Sequence, residues 1–253
     1  MKKGMIWLYS LLCYGVGLGA TVVYCGFLGG MPLPRTIQSG EPVSIPAALG
    51  TDLLLVVLFG LQHSGMARQT FKQWYRRRFP SATERSTYVL LSSLSLLALV
   101  GLWRPVSPEL YDLRGTVSGL LLTGLYGLGW GICLFSTYLI DHFDLFGLRQ
   151  AWYYGRGETD HPPQFRTPLL YRVVRHPIYL GWLMIHWFTP FLTLGQVFLA
   201  LAMTVYLLIG MHYEEKDLIR QFDEEYLLYR KTTPRILPFL PTKIVSEHEK
   251  TLG

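Results

Sequence analysis

Apolar residues in this chain come in long runs that contain almost no charge. A bilayer-spanning helix needs about 20 mainly apolar residues. The runs at about residues 5–29, 47–63, 86–103, 116–140, 178–192 and 195–212 are candidates. The first carries no charged residue and is too long for the roughly 7–15-residue apolar core of a signal peptide, so a span is expected there. The second is marred only by Asp52. Between the last two stand Thr193, Leu194 and Gly195, with Pro190 just before. So short a connection makes antiparallel neighbours, and a helical hairpin is expected. The pattern predicts an all-α, polytopic bundle of five to six spans, five if the hairpin is merged into one. One domain over residues 1–253 is expected, with core spans at about 5–140 and the hairpin and C-terminal tail at about 141–240.

Composition sharpens this. Hydrophobic residues make up 50% and charged residues only 16%, where soluble domains carry about a quarter charged. Disorder is excluded, because it requires the opposite balance. The three cysteines, Cys13, Cys25 and Cys133, lie in apolar runs without metal-ligand spacing, so neither a disulfide scaffold nor a metal is expected. The basic surplus, 23 Lys and Arg against 17 Asp and Glu, is concentrated in particular loops. Arg68, Lys72, Arg76, Arg77, Arg78 and Arg85 follow the second run, and Arg149, Arg156, Arg166, Arg172 and Arg175 precede the fifth. Short basic loops mark the cytoplasmic side, so both termini and both basic loops are expected there, with some contact to anionic lipid headgroups. Nucleic-acid binding has no supporting motif. Gly15 with Gly19, and Gly127 with Gly131, form small-xxx-small pairs. Packing within one bundle is expected of them in preference to a dimer contact, so an oligomer is possible but not implied.

Two polar clusters stand where cytoplasmic loops meet spans. In Arg172-Val173-Val174-Arg175-His176-Pro177-Ile178-Tyr179-Leu180-Gly181, Pro177 pushes His176 out of helical geometry and suits the first helical position. The next helix therefore opens with free N–H groups, and Arg175 adds a planar charged fork: an anion site with a histidine beside it, or simply a basic membrane interface. The second cluster is His212-Tyr213-Glu214-Glu215, followed by Phe222, Tyr226, Tyr229 and Arg230. It could be a solvated helix end, but the hairpin brings it back to the face of Arg175 and His176. There its carboxylates and tyrosines could receive ribose hydroxyls or face a sulfonium cation.

Arg175, His176, Pro177, Tyr179, Gly181, Glu214, Glu215, Phe222, Tyr226, Tyr229, Arg230 and Pro234 together resemble the C-terminal signature of the isoprenylcysteine carboxyl methyltransferase family. The resemblance implies a membrane-embedded methyltransferase that binds S-adenosylmethionine with these residues and with Leu180. Asp223 departs from the pattern, which has glycine there; aspartate tolerates left-handed geometry, so the departure reads as minor. Residues 59–68, 84–88 and 142–150 are similar to the nurim-like family. The likeness is to its bacterial thiol-methylating branch, and it runs over nearly the whole chain. It implies methanethiol as substrate, dimethyl sulfide as product and a bacterial inner membrane as location. The same architecture acting on a prenylated cysteine or lipid amine, and a non-enzymatic nurim-like protein, remain alternatives.

Methyl transfer from a sulfonium to a thiol is an in-line displacement that positioning and water exclusion accelerate. The thiolate is the reactive form, so a base or a positive environment is expected. His142 with Asp144, and His63 at the end of the second span, are the candidates. Arg149 and Gln150 could close the site. His186 and Trp182, inside the fifth span, could line the substrate pocket or serve helix packing.

Overall fold

The computed structural model describes residues 3–41, 43–158 and 164–239. Helix α1 spans Lys3–Gly29, α2 Ile45–Ala67, and the short α3 Gln69–Arg76. Then come α4 at Glu84–Leu102 and α5 at Val117–Ile140. Short helices α6 (His142–Leu145), α7 (Leu148–Arg156) and α8 (Leu170–Val173) precede α9 (Pro177–Trp187) and α10 (Leu194–Thr232). Strands β1 (Glu109–Asp112) and β2 (Phe191–Thr193) pair antiparallel.

Five helices, α1, α2, α4, α5 and α10, are long and apolar enough to cross a membrane. The hairpin expectation is altered at its first limb. Helix α9 ends at Trp187, not near Leu192, and its 11 residues reach about 16 Å at 1.5 Å each, half of a hydrocarbon core. The six residues that follow, 188–193, are not helical, and the last three form β2. Their polar backbone needs partners inside the bundle, and β1 with the residues flanking it supplies most of them. Leu113 N donates to Pro190 O at 2.8 Å and Leu194 N to Pro108 O at 2.9 Å, while Thr189 Oγ1 donates to Phe191 O at 2.8 Å. Thr193 is no free turn: it caps α10 in a reciprocal box with Gln196.

The core gathers Tyr24 and Phe27 of α1, Leu99 and Val100 of α4, Tyr126 and Cys133 of α5, Ile185 of α9, and Leu199 and Met203 of α10. Between lipid-facing helices such packing acts through close contact rather than water exclusion. The closest approach joins α5 to α9: a Cβ on Gly181 would lie 2.6 Å from Gly129 O. On α1, Gly17 packs against Val89. The four small-xxx-small glycines behave otherwise. Among the described residues, Gly15, Gly19, Gly127 and Gly131 have no neighbour that a Cβ would meet within 4 Å, which corrects the expectation that they pack the bundle. They sit one helical face away from Gly17 and Gly129, which do.

Helix α10 has 39 residues, and its continuous part before Asp223, residues 194–222, reaches about 43 Å at 1.5 Å per residue, longer than a hydrocarbon core. It bends at Asp223, with φ 42° and ψ −116°. This is not the left-handed helical region that aspartate tolerates but one held almost solely by glycine. The bend folds residues 224–235 back over the start of α9. The loop after α2, the region after α5 and this tail thereby meet at one end of the bundle, with β1 and β2 at the other.

Candidate functional site

The segment leading into α9 is pinned by the returning tail: Arg175 N donates to Pro234 O at 2.9 Å and His176 N to Arg235 O at 3.1 Å. Side chains then converge on one carboxylate oxygen. Arg175 Nε and Nη2 donate to Glu215 Oε1 at 3.1 and 2.9 Å, and His176 Nε2 lies 3.1 Å from the same atom. Because a carboxylate only accepts, His176 carries its proton on Nε2. Arg235 Nε is 3.4 Å away. Arg175 Nη1 also donates to the carbonyls of Arg230 and Thr233, at 2.9 and 2.6 Å, closing the C-terminus of α10. Arg175 and Glu215 side chains are 7% and 9% exposed. Burial alone would raise the Glu215 carboxyl, but the His176 hydrogen bond and the charges of Arg175 and Arg235 outweigh it and hold it at about 2.

Around this hub stands a shell of tyrosines. Tyr226 and Tyr171 bury their hydroxyls without a hydrogen-bond partner among the described residues. Burial pushes both phenols up, and that of Tyr229 to about 12, so all stay neutral donors. Tyr229 donates to the Tyr171 carbonyl. Phe165 packs on Phe222, Tyr226 and Tyr229 with centroids 5.4, 6.1 and 5.5 Å apart. Tyr179 stands edge-on to His176 at 5.3 Å, with its hydroxyl turned to Glu214. Glu214 is half-exposed and 3.8 Å from His176 Nδ1. Leu180, half-buried, continues the first turn of α9 through its N–H bond to His176 O at 3.0 Å.

The expected donor-site residues Arg175, His176, Pro177, Tyr179, Glu214, Glu215, Tyr226, Tyr229 and Arg230 are thus brought together. Arg230 takes part through its carbonyl, and Gly181 through helix packing. Arg175, read from the chain as an open fork, is turned inward on Glu215 and two carbonyls. His63 adjoins the group. Tyr88 Oη lies 2.6 Å from His63 Nε2, and Ser92 Oγ 3.2 Å from Nδ1. Tyr88 in turn is within electrostatic reach of Tyr206 and Glu214.

His142 is held elsewhere, between Thr137 Oγ1 on Nδ1 at 2.8 Å and Tyr14 Oη on Nε2 at 3.0 Å, and stacks on Tyr138 at 4.2 Å. Burial pushes it down, against the pull of Asp141. The expected hydrogen-bonded pair with Asp144 is replaced: Asp144 accepts from Gln150 at 2.5 Å and faces Arg149 at 3.0 Å. His186 and Trp182 lie inside the bundle. Nδ1 of His186 meets the Trp182 carbonyl at 2.7 Å, so it donates there, and Nε2 accepts from Tyr24 at 2.8 Å. Tyr171, Tyr88 and Phe165 join the group only in the fold, because nothing in the local sequence distinguishes an aromatic that faces these side chains from one in the core. Among the described residues no three His, Cys, Asp or Glu side chains converge as a metal cage.

No family model and no solved structure matches the chain. It is 46% identical to methanethiol S-methyltransferase of Pseudomonas deceptionensis, over 92% of this chain and 89% of that protein. To the enzyme of that name from Mycobacterium tuberculosis it is 40% identical over 94% and 98%. To Nurim of Xenopus laevis it is 31% identical over 88% and 86%.

Proposed function

Since the chain belongs to the methanethiol S-methyltransferase family, we propose that it methylates methanethiol to dimethyl sulfide with S-adenosylmethionine, at the cytoplasmic face of a bacterial inner membrane. The observation that carries the donor assignment is the pair of buried, unpartnered hydroxyls of Tyr171 and Tyr226 beside the Glu215 hub. An orphaned buried hydroxyl costs about 1–3 kcal/mol, and both lie in a neutral aromatic shell next to carboxylates. That donor set fits a nucleoside with ribose hydroxyls and a sulfonium centre.

When bound, S-adenosylmethionine supplies an electrophilic methyl group. Glu214 and the tyrosine faces hold positive charge near His176. Arg175 and Glu215 act by position: they lock the tail over α9 and fix the His176 tautomer. Tyr88 receives the thiol proton as its own phenolic proton passes to His63 Nε2. The thiolate sulfur freed in this way would accept the methyl group that a bound sulfonium supplies, the donor's C–S bond breaking as the new one forms. Both histidines are held by hydroxyls at both nitrogens; His63 is preferred to His142 as base because its network adjoins Glu214 through Tyr88. Asp144 and Gln150, locked with Arg149, brace α6 against α7. Trp182 and His186 form the dry wall behind the site. Methanethiol and dimethyl sulfide are small and apolar, so the lipid phase delivers one and removes the other.

The test is purified protein in detergent given S-adenosylmethionine and methanethiol, with dimethyl sulfide measured in the headspace. Product above a boiled control is expected, and none would sink the substrate assignment. Retained donor binding in that case would move the reading to another methyl acceptor.

A further inference from the structure

Four cations crowd the mouth of the bundle near His63, and they differ in how they are compensated. Arg76 is spent on Glu84 at 2.5 Å. Arg68 reaches Asp217 at 3.8 Å and lies over the Tyr213 ring at 4.6 Å. Arg85 and Lys72, both half-buried, have no carboxylate within ion-pair distance among the described residues. Glu84 and Asp217 act on Lys72 only from beyond that distance. Burial pushes the Lys72 ammonium down, and the like charge of Arg85 adds to it. Two neighbouring cations partly withdrawn from water without a close counter-ion are costly, whereas the half-buried guanidiniums of Arg175 and Arg149 are paired with carboxylates.

The Arg85 guanidinium lies 5.8 Å from the centre of the Tyr88 ring and acts on both His63 and Tyr88. Glu214 acts on the same tyrosine. Tyr88 is therefore flanked electrostatically by an uncompensated guanidinium and a half-exposed carboxylate. An α-amino-acid end, one carboxylate and one ammonium, complements that arrangement. The guanidinium that the sequence offers for this task, Arg175, spends Nε, Nη1 and Nη2 on Glu215 and on the carbonyls of Arg230 and Thr233.

We propose that Arg85, backed by Lys72, receives the carboxylate of the methyl donor's amino-acid end, with Glu214 facing its ammonium. This rests on the donor reading above and assigns a binding role to the segment before α4, outside the C-terminal hub. A planar fork on a carboxylate gives two charge-assisted bonds, among the strongest a side chain offers.

The experiment uses the full chain in detergent and two probes, S-adenosylmethionine and decarboxylated S-adenosylmethionine, titrated by calorimetry. Wild type should prefer the carboxylated donor by about tenfold or more. Arg85→Gln should lose that preference by weakening the carboxylated donor alone, and Arg85→Lys should keep part of it. Lys72→Gln gives the same readout at smaller size should Arg85→Gln fail to fold, as judged by its thermal unfolding. Equal wild-type affinity for the two probes overturns the proposal. So does an Arg85→Gln protein of wild-type thermal stability that keeps the preference or weakens both probes alike. Wild-type protein that binds neither probe overturns the donor reading itself, and this assignment with it.

Discussion

Two clusters at the same end of the bundle are built from the same residue types, an arginine, carboxylates and a histidine, and they are wired differently. In the Glu215 hub the side chains converge on one buried oxygen, and the adjacent hydroxyls of Tyr171 and Tyr226 have no partner among the described residues. In the cluster after α5, Arg149 spans Asp141 and Asp144 at side-chain exposures near 30%, and both nitrogens of His142 are occupied. The first is tightly buried and leaves two phenolic hydroxyls unsatisfied among the described residues, the capacity on which the donor proposal rests. The second is wetter and holds its histidine closed, as a brace between helices requires. Composition alone would rank them equally; burial and unspent hydrogen-bonding capacity separate them.

The largest effect should come from breaking the buried hub. Glu215→Ala leaves Arg175 and His176 without their acceptor and should cost about 3–5 kcal/mol, whereas Asp144→Ala should cost about 1 kcal/mol or less. Unfolding of the two proteins in detergent measures the difference, and equal losses would erase the contrast. The same hub sets a pH dependence. With its carboxyl held at about 2 in the fold, below the ordinary value, Glu215 contributes stability that is present above that ordinary value, near 4.3. This contribution is lost as pH falls toward 2. Wild type minus Glu215→Gln should therefore be flat at pH 6 and shrink under acid.

Turnover should divide the two histidines next. His63→Ala should lower it by about 10²-fold or more, in the range of a lost general base, and His142→Ala by only severalfold. A His142 variant as impaired as the His63 one would reverse the assignment. Tyr226→Phe should act in opposite directions on two readouts. Removing an orphaned hydroxyl should leave the ligand-free protein as stable or up to about 1 kcal/mol more so, while donor affinity by calorimetry falls about fivefold. Unchanged affinity would take Tyr226 out of the donor site. The smallest effect is expected at the bend: Asp223→Gly should stabilise by about 1 kcal/mol through relief of a strained φ and ψ, with activity retained.

Hydropathy alone located four of the spans to within a few residues, because one-dimensional apolarity is what a bilayer selects. It also predicted that Arg175 and His176 face Glu214 and Glu215, since a tight reversal returns the chain to the same surface. It misjudged α9, because an apolar run does not distinguish helix from extended chain, and β1 with the residues flanking it, distant in sequence, supplies most of the partners that let residues 188–193 leave the helix. Glycine spacing misled for a similar reason: Gly127 and Gly131 have the expected interval, but which face meets α9 is set by the neighbour, and that face carries Gly129.

The sequence by itself determined the membrane architecture, the family and most of the residues proposed for the donor site, all properties of residue identity and local spacing. The tertiary structure decided which of those residues are spent and which are available. Arg175 is consumed by Glu215 and the returning tail, while Tyr171 and Tyr226 have no hydroxyl partner among the described residues and Arg85 has no carboxylate partner among them. The physical reason is that a polar group's role depends on whether its hydrogen bonds and charge are already satisfied, and its partners here lie tens of residues away along the chain.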